Sequence, residues 1–178
     1  EASGRTLKAS IEKQEEAYRN GTRKRTCDFS VSVHDLEHYK TYDIIGYQVT
    51  PLRARHAEAL EASLYIIRKD EKCILWGFDT GRFHEDALEY IRTSGERFDF
   101  VVLDCTLKEN EQITKSHMDL TWCKETVDKL TEMGAVDQKT RIMVSHIGHL
   151  VEKTHEELCE AAARYGMEVA YDGLEVEI

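Results

Sequence analysis

The feature that most constrains this chain is a series of short, β-rich apolar runs, separated first by a turn and then by segments of helical periodicity. Residues 63–68 (SLYIIR) and 73–78 (CILWGF) are joined by four charged residues, a pattern typical of an antiparallel hairpin. The runs at 98–103 and 141–145 each follow a segment with apolar residues at helical spacing. Strands that pair first and then alternate with helices indicate α/β layers around one sheet system. We therefore predict an α/β fold.

The other elements are predicted from periodicity, capping residues and glycines. Leu7, Ile11 and Tyr18 recur at helical spacing, so residues 5–20 are predicted to form a helix, followed by a basic turn at 23–25. The remaining predicted strands are 28–33, 44–52, 168–171 and 174–178. The remaining predicted helices are 83–91, then 120–130, preceded by a capping-box pattern at Ser116-x-x-Asp119, and 154–165, opened by Thr154-x-x-Glu157.

Charge and cysteine usage exclude several classes of protein. The 24 Lys and Arg residues against 34 Asp and Glu residues give a net charge of −10, which argues against a general nucleic-acid or anionic-membrane surface. No apolar run approaches the roughly 18 to 20 residues that span a bilayer. The five cysteines are odd in number and lack C-x-x-C spacing, which suits reduced thiols. We expect a cytoplasmic protein that contacts neither membranes nor nucleic acid.

Polar residues with metal-binding chemistry stand where predicted strands or loops end. His56 follows the strand that ends near residue 52, Asp79 closes the 73–78 run, and His146 follows the 141–145 run. His117 directly precedes a predicted helix. Side chains at strand ends can converge on one rim of a sheet. Imidazole and carboxylate are also ligands that zinc or manganese accepts in catalytic sites, so we predict a metal site at this rim.

Six motifs follow one another along the chain: His56 after a strand, Asp79-Thr80-Gly81, Leu103-Asp104-Cys105-Thr106, His117 before a helix, Val144-Ser145-His146 and Ala170-Tyr171-Asp172-Gly173. In this order and spacing they resemble the metallo-β-lactamase superfamily. The sequence is similar, more narrowly, to the phosphodiesterase branch, which includes the accessory cyclic-phosphate phosphodiesterases of carbon–phosphorus lyase pathways. The resemblance covers roughly residues 28 to 178.

The resemblance implies a fold and an activity. The fold would be a metallo-β-lactamase-like αββα sandwich, of which residues 26–178 supply mainly the C-terminal portion, while residues 1–25 form an N-terminal helix and basic turn. The complete protein would be a metal-dependent hydrolase, most simply a phosphodiesterase acting on a small cyclic phosphodiester. Two divalent metal ions, zinc or manganese, would be its cofactors. Thioester and lactam hydrolysis use a similar metal centre and stay open as alternatives.

The resemblance also assigns roles to particular residues. His56 would bind one metal ion, Asp79 would bridge two, and His146 would bind the second. His117 would assist the leaving oxygen, which tilts the choice of substrate toward a phosphate. Asp104 and His149 are weaker candidates that could orient a ligand or contact the substrate.

One motif expected from the resemblance does not occur in the sequence. The family's main metal motif is His-x-His-x-Asp-His, and the segment closest to it, residues 34–38 (HDLEH), has a different spacing. Three ligands shared between two ions would hold neither one adequately. Because the chain lacks an initiator Met, we expect it to be part of a longer enzyme whose main ligands lie upstream. The alternative is a binding or interaction module that has lost its catalytic motif.

The first interpretation also predicts a partner for the sheet. Without an N-terminal half, strands at 44–52, 64–68 and 73–78 would expose apolar side chains to water. The residues expected to be exposed are Ile44, Val49, Leu64, Ile66, Ile74 or their neighbours. At about 25 cal/mol per Å², exposing a few hundred Å² would cost several kcal/mol. We therefore expect the sheet to be covered by the protein's own N-terminal portion or by a second copy of the chain.

Overall fold

The structure, a computed structural model, describes residues 7–22, 34–56, 61–110 and 114–178. The chain divides into two units, Glu1–Leu36 and Glu37–Ile178, which are described separately. In the first unit, helix α1 spans Leu7–Arg19, close to the predicted 5–20. The predicted strand at 28–33 and the basic run at 23–25 lie outside the described residues.

The second unit alternates strands and helices as the sequence predicts. Its strands are β1 (Tyr42–Ile44), β2 (Tyr47–Arg53), β3 (Ser63–Lys69), β4 (Lys72–Gly77), β5 (Phe100–Asp104), β6 (Arg141–Ser145) and β7 (Glu168–Val169). Its helices are α2 (Glu85–Ser94), α3 (Leu120–Glu132) and α4 (His155–Ala163), with a 3-10 turn at His149–Val151. Of the helices in the described ranges, none is both long and apolar enough to cross a bilayer.

One seven-stranded sheet contains these strands in the order in which they occur along the chain. Strands β1 to β4 pair antiparallel, and β4 to β7 pair parallel. The predicted hairpin at 63–78 is the β3–β4 pair, whose turn begins at Asp70 with a left-handed φ of 51°. The α/β fold class is therefore confirmed, because antiparallel strands are followed by strand–helix alternation.

Three local predictions are wrong. The strand predicted over 44–52 is two strands, β1 and β2, separated by a turn in which Gly46 has a φ of 79°. Residues 174–178 form no strand; Leu174 instead packs against a small apolar cluster on the sheet. Helix α3 is capped by Asp119, whose side chain accepts a hydrogen bond from the Trp122 N–H, and not by Ser116. The capping box predicted at Thr154-x-x-Glu157 is confirmed.

The main core lies between one face of the sheet and helices α2, α3 and α4. Strand residues that point to this face alternate with residues that point away, so Leu64, Leu75 and Leu103 are all completely buried. The prediction that Leu64 and Ile66 lie on the exposed face is therefore wrong: Ile66 is only 2% exposed.

The opposite face of the sheet is partly open. Phe100, Val102 and Met143 form a small buried cluster there, covered by the chain after β7. The segment after β7 does not cover this face near the antiparallel strands, where Trp76 on β4 is 40% exposed. Ile44 is 39% exposed, as the sequence analysis expects.

The parallel pairing positions the candidate site. Because β4, β5 and β6 run in the same direction, their carboxyl ends lie at one edge of the sheet. Asp79 follows β4, Asp104 ends β5, and His146 follows β6. Residues far apart in sequence are thereby placed side by side.

Candidate metal centre

Asp79 lies at the centre of the cluster, with an imidazole on each side. Its Oδ1 atom is 3.3 Å from Nε2 of His56 and 3.1 Å from Nε2 of His146. The structure thus brings together all three residues that the sequence analysis predicts as metal ligands. Their role as ligands remains a prediction.

The turn after β4 that presents Asp79 is fixed by contacts with the His56 loop. The Arg55 N–H donates to Thr80 Oγ1 at 3.0 Å, and the Gly81 N–H donates to the Arg55 carbonyl at 2.8 Å. A Cβ atom at Gly81 would lie 1.8 Å from the Lys115 carbonyl oxygen, so only glycine fits there. These contacts couple the loop of His56 to the turn of Asp79.

His146 is fixed by the loop after β5. Thr106 Oγ1 lies 2.8 Å from His146 Nδ1 and donates to the His146 carbonyl oxygen at 2.8 Å. The Cys105 N–H donates to the Ser145 carbonyl at 2.8 Å, which ties this loop to the end of β6. The ring and the backbone of His146 are therefore both restrained.

Asp104 is a completely buried carboxylate beneath the cluster. Its Oδ1 atom accepts hydrogen bonds from the N–H groups of Thr106 and Met118, both at 3.2 Å. Its Oδ2 atom is 2.9 Å from Nδ1 of His117 and 3.3 Å from Nδ1 of His146. A buried carboxylate is stable only with such partners. Asp104 therefore orients His117 through a hydrogen bond and places a negative charge close to His146.

His117 lies within the same cluster. Its ring centroid is 5.1 Å from that of His56 and 5.5 Å from that of His146. One donor atom from each of Asp79, Asp104, His117 and His146 can be chosen so that all four lie within 4.8 Å of one another. His149, the other weak candidate, is exposed on the 3-10 turn and does not belong to this group.

The donor set fits a divalent ion on two grounds. Thr106 has one hydroxyl proton, which it donates to the His146 carbonyl, so His146 Nδ1 must carry the proton of their shared contact. In the neutral ring, Nε2 then presents a lone pair toward the Asp79 carboxylate at 3.1 Å. Two acceptors at this distance repel each other unless a cation lies between them.

The distances also match. Two ligand atoms that are each 2.0–2.1 Å from a tetrahedral zinc ion lie about 3.3 Å apart, and the separations at Asp79 are 3.1 and 3.3 Å. Each histidine is therefore at the distance from Asp79 that two ligands of one ion have. His56 does not belong to the donors that lie within 4.8 Å of one another, so it fits a different ion from His146, with Asp79 between the two. Two ions of four ligands each would need more donors than these three.

Two clefts flank the cluster, one on each side. On the His56 side lies a cavity of about 740 Å³, and on the His146 side one of about 550 Å³. The first is lined by three cations, Arg53, Arg55 and Lys115, against two carboxylates, Glu61 and Asp86. Among described residues, no carboxylate forms an ion pair with any of the three cations.

The same cations affect a neighbouring histidine. Burial, followed by the positive charges of Arg55 and Arg53, lowers the pKa of His84 below its ordinary value. The larger cleft is therefore locally positive in a chain whose net charge is −10. The sequence analysis did not predict this cleft, because Arg53 and Arg55 are far from Lys115 in the sequence and only the fold brings them together.

Comparison with protein families identifies the class to which this fold and donor cluster belong. Residues 5–169 match the family described as the beta-lactamase superfamily domain. The chain belongs to this superfamily, whose fold is the metallo-β-lactamase fold.

Solved structures with this fold are similar over most of the chain. They include the metallo-β-lactamase fold protein YhfI from Bacillus subtilis, at a TM-score of 0.64 and 14% identity, over 95% of this chain and 62% of that one. The isothiocyanate hydrolase from Delia radicum gut bacteria has a TM-score of 0.57 at 18% identity, over 84% of this chain and 60% of that one. Zn(2+)-bound PqqB from Methylobacterium extorquens has a TM-score of 0.53 at 21% identity, over 80% and 51%.

These similarities show the fold. The chain spans 51–62% of the length of the three structures named. A comparison with curated proteins finds no match.

Proposed function

We propose that this chain is part of a metal-dependent phosphodiesterase that hydrolyses a small cyclic phosphodiester, similar to the accessory phosphodiesterases of carbon–phosphorus lyase pathways. One observation carries the proposal. A carboxylate at 79 lies between imidazole nitrogens at 56 and 146, and a further histidine, His117, lies beside them.

His56, Asp79 and His146 would hold the metal. Two divalent ions, zinc or manganese, are proposed for the complete protein. When bound, such ions supply positive charge that polarises the phosphate and makes a bound water acidic. The protein's own part is to fix three donors at the separations that an ion requires.

His117 would provide a proton to the leaving oxygen. Its Nδ1–H is donated to the buried Asp104 carboxylate at 2.9 Å, so Nε2 is the ring atom left for exchange with the substrate. A positioned imidazole can donate a proton to a leaving oxygen, and the hydrogen bond to Asp104 holds this ring in one orientation. Asp104 therefore acts through His117, as a positioning residue.

The positive cleft supports an anionic substrate over a lactam or a thioester. Arg53, Arg55 and Lys115 line the cavity that His56 shares with the cluster. Cations concentrated in a cleft attract an anion even when the rest of the surface is acidic. A neutral lactam or thioester would gain nothing from this arrangement.

The remaining donors are proposed to come from polypeptide outside the described residues. All eight histidines of the sequence lie within the described ranges, and three predicted ligands cannot complete two metal sites. We propose that an N-terminal portion of the same protein supplies these donors and covers the open face of the sheet around Trp76. A second copy of the chain is the competing occupant.

The second candidate function is a binding or interaction module without hydrolytic activity. It is favoured by one observation, the absence of His-x-His-x-Asp-His from the 178 residues. In that case the cluster would be a relic held together by hydrogen bonds.

Metal content distinguishes the two functions. The complete protein, with its N-terminal portion, and its Asp79→Ala variant would be dialysed against zinc or manganese and then analysed for bound metal. We expect the wild-type protein to retain metal and Asp79→Ala to lose it. Asp128→Asn, a change on the exposed surface of α3, is the control and should retain metal. Equal metal in wild type and Asp79→Ala would contradict the proposed centre.

Hydrolysis would be assayed with the complete protein. A cyclic nucleotide and bis(4-nitrophenyl) phosphate would be compared with a chromogenic lactam and a thioester. We expect turnover of the phosphodiesters. A metal-loaded complete protein that hydrolyses the lactam or thioester but no phosphodiester would overturn the substrate assignment, and one that hydrolyses nothing would favour the binding module.

A further inference from the structure

We propose that Thr106 is a positioning residue that sets the tautomer of His146 and thereby its readiness to bind a metal ion. The proposal rests on the proposed role of His146 as a ligand. Thr106 is not one of the proposed metal ligands. It contacts Nδ1 of the His146 ring, whereas Asp79 lies near Nε2.

A count of protons establishes the tautomer. The His146 carbonyl oxygen has no proton and can only accept, so Thr106 Oγ1 must give it the single hydroxyl proton, across 2.8 Å. The second contact of the same oxygen, 2.8 Å to His146 Nδ1, then requires the proton to be on Nδ1. The neutral ring therefore has its lone pair on Nε2.

The surroundings favour the same tautomer. A second acceptor, Asp104 Oδ2, lies 3.3 Å from the same Nδ1 atom, and it also serves His117. A proton on Nδ1 would lie near two oxygen atoms, Thr106 Oγ1 and Asp104 Oδ2. A lone pair on Nδ1 would instead be repelled by the lone pairs of both oxygens.

The opposite tautomer would compete with metal binding. A proton on Nε2 would occupy the ring's only lone pair on the side of Asp79, whose Oδ1 atom is 3.1 Å away. Nε2 could then bind no ion. Thr106 thus keeps the Nε2 lone pair of His146 available to an ion.

Thr106 also supports the backbone of His146, which has a left-handed φ of 57°. Such a conformation costs free energy in a residue other than glycine and persists only where neighbours enforce it. The hydrogen bond from Thr106 to the carbonyl of this same residue is one such restraint. The hydroxyl therefore fixes the ring and the peptide together.

The test compares Thr106→Val, which keeps the shape and loses the hydroxyl, with Thr106→Ser, which keeps the hydroxyl. Thr93→Val, at an exposed position of α2, is the matched control. Zinc affinity of the complete protein and its variants would be measured by competition with a chromophoric chelator. Loss of a group that orients a metal ligand typically weakens binding 10- to 100-fold. We expect that loss for Thr106→Val, with Thr106→Ser and Thr93→Val close to wild type.

A second readout does not depend on metal. In the metal-free chain, ¹⁵N NMR of the His146 ring, assigned with a His146→Gln variant, distinguishes a proton on Nδ1 from one on Nε2. We expect the Nδ1–H form in wild type and Thr106→Ser, and a shift toward Nε2–H in Thr106→Val.

The outcomes separate the two proposals. An Nε2–H ring in the wild-type chain would overturn the inference without any variant, so the test does not depend on whether Thr106→Val folds. Unchanged zinc affinity in a folded Thr106→Val, or an equal loss in Thr106→Ser, would overturn it as well. Failure of the complete wild-type protein to bind zinc, combined with the Nδ1–H tautomer, would reject the proposed metal role while supporting the positioning by Thr106.

Discussion

At the scale of single residues, two members of the candidate site have backbone conformations that side chains other than glycine rarely adopt. Asp79 has a φ of 47° and His146 a φ of 57°. Each such residue costs of order 1–3 kcal/mol, and residues of this kind cluster at functional sites. Hydrogen bonds from neighbouring loops hold both turns in this conformation, as the hydrogen bond from Thr106 does at His146. Positive φ alone does not identify the site, since Tyr39, Ile45, Asp70, Asn110 and Glu152 also have it.

Gly81→Ala tests how tightly the Asp79 turn is held. The new Cβ would lie 1.8 Å from the Lys115 carbonyl oxygen, so the two loops must move apart. Overpacking of this kind costs about 1–3 kcal/mol. We expect a lower free energy of unfolding in urea together with weaker zinc binding. Gly46→Ala is the comparison. Gly46 has a left-handed φ but no atom within 4 Å of an added Cβ, so this variant should lose some stability and leave zinc binding unchanged. Equal zinc affinity in Gly81→Ala and wild type would show that this turn does not position Asp79.

His117→Ala tests the division of roles within the cluster. If His117 transfers a proton and does not hold the ion, turnover of a phosphodiester by the complete protein should fall about 10²–10⁴-fold. Bound metal, measured by elemental analysis, should stay at the wild-type level. Loss of the metal would instead identify His117 as a ligand, which its place among the clustered donors also allows.

The buried thiols should be chemically inert in the folded protein. Burial, followed by the charge of Glu96, raises the pKa of Cys73 to about 12, and burial raises the pKa of Cys123 well above its ordinary value. A thiol reacts as its thiolate. We expect iodoacetamide at pH 8 to modify Cys159 in the native chain and to spare Cys73 and Cys123, as read by mass spectrometry of peptides. Labelling of Cys73 at the rate of Cys159 would contradict this burial, and unfolding in urea should abolish the difference.

At the scale of elements, the parallel strands β4 and β5 are joined at their amino ends by Asp99. Its Oδ2 accepts a hydrogen bond from the Cys73 N–H at 2.9 Å, and its Oδ1 lies 3.2 Å from Lys72 Nζ. The hydrogen bond from Cys73, and then Lys72, lower the pKa of Asp99 below its ordinary value. A carboxyl group with a lowered folded-state pKa stabilises the fold above its unfolded pKa, and this contribution is lost as pH falls through the folded value.

Asp99→Asn should therefore reduce stability at neutral pH and matter little in acid. The loss should be up to about 1 kcal/mol at pH 7, the scale of one charge-assisted hydrogen bond. Urea unfolding of wild type and variant at pH 7 and near pH 3 measures it, with Asp70→Asn in the β3–β4 turn as control. A difference that grows on acidification would reverse the predicted sign.

Elements with a strong local pattern could be predicted, and those decided by tertiary contacts could not. The hairpin of β3 and β4 follows from two β-rich runs around a charged turn, and α4 from its capping box. The segment 174–178 alternates like a strand, yet it does not extend the sheet; Leu174 and Val176 instead pack onto the cluster of Phe100, Val102 and Met143. The same holds at the site. Strand ends predicted His56, Asp79 and His146, whereas the contacts of Thr106 depend on a loop geometry that no spacing reveals.

At the scale of the whole molecule, the two faces of the sheet differ. One is closed by three helices, and the other is partly open around Trp76, which is 40% exposed. The sequence analysis predicted that some apolar strand residues would be exposed, but it wrongly included Leu64 and Ile66. The alternation of apolar and polar residues along a strand shows that the sheet has two faces. It does not show which face the helices cover. Under the proposed function, one N-terminal portion would both cover the open face and supply the missing metal ligands. The chain spans 62% and 51% of the length of two of its structural neighbours.

The central claim is that Asp79 bridges two divalent ions, one bound by His56 and the other by His146. The most direct measurement is an anomalous-scattering map from crystals of the complete protein soaked in zinc. We predict two peaks beside Asp79, one within about 2.0–2.2 Å of His56 Nε2 and the other within about 2.0–2.2 Å of His146 Nε2. A map with no zinc at this cluster, or with zinc bound only by other side chains, would contradict the account.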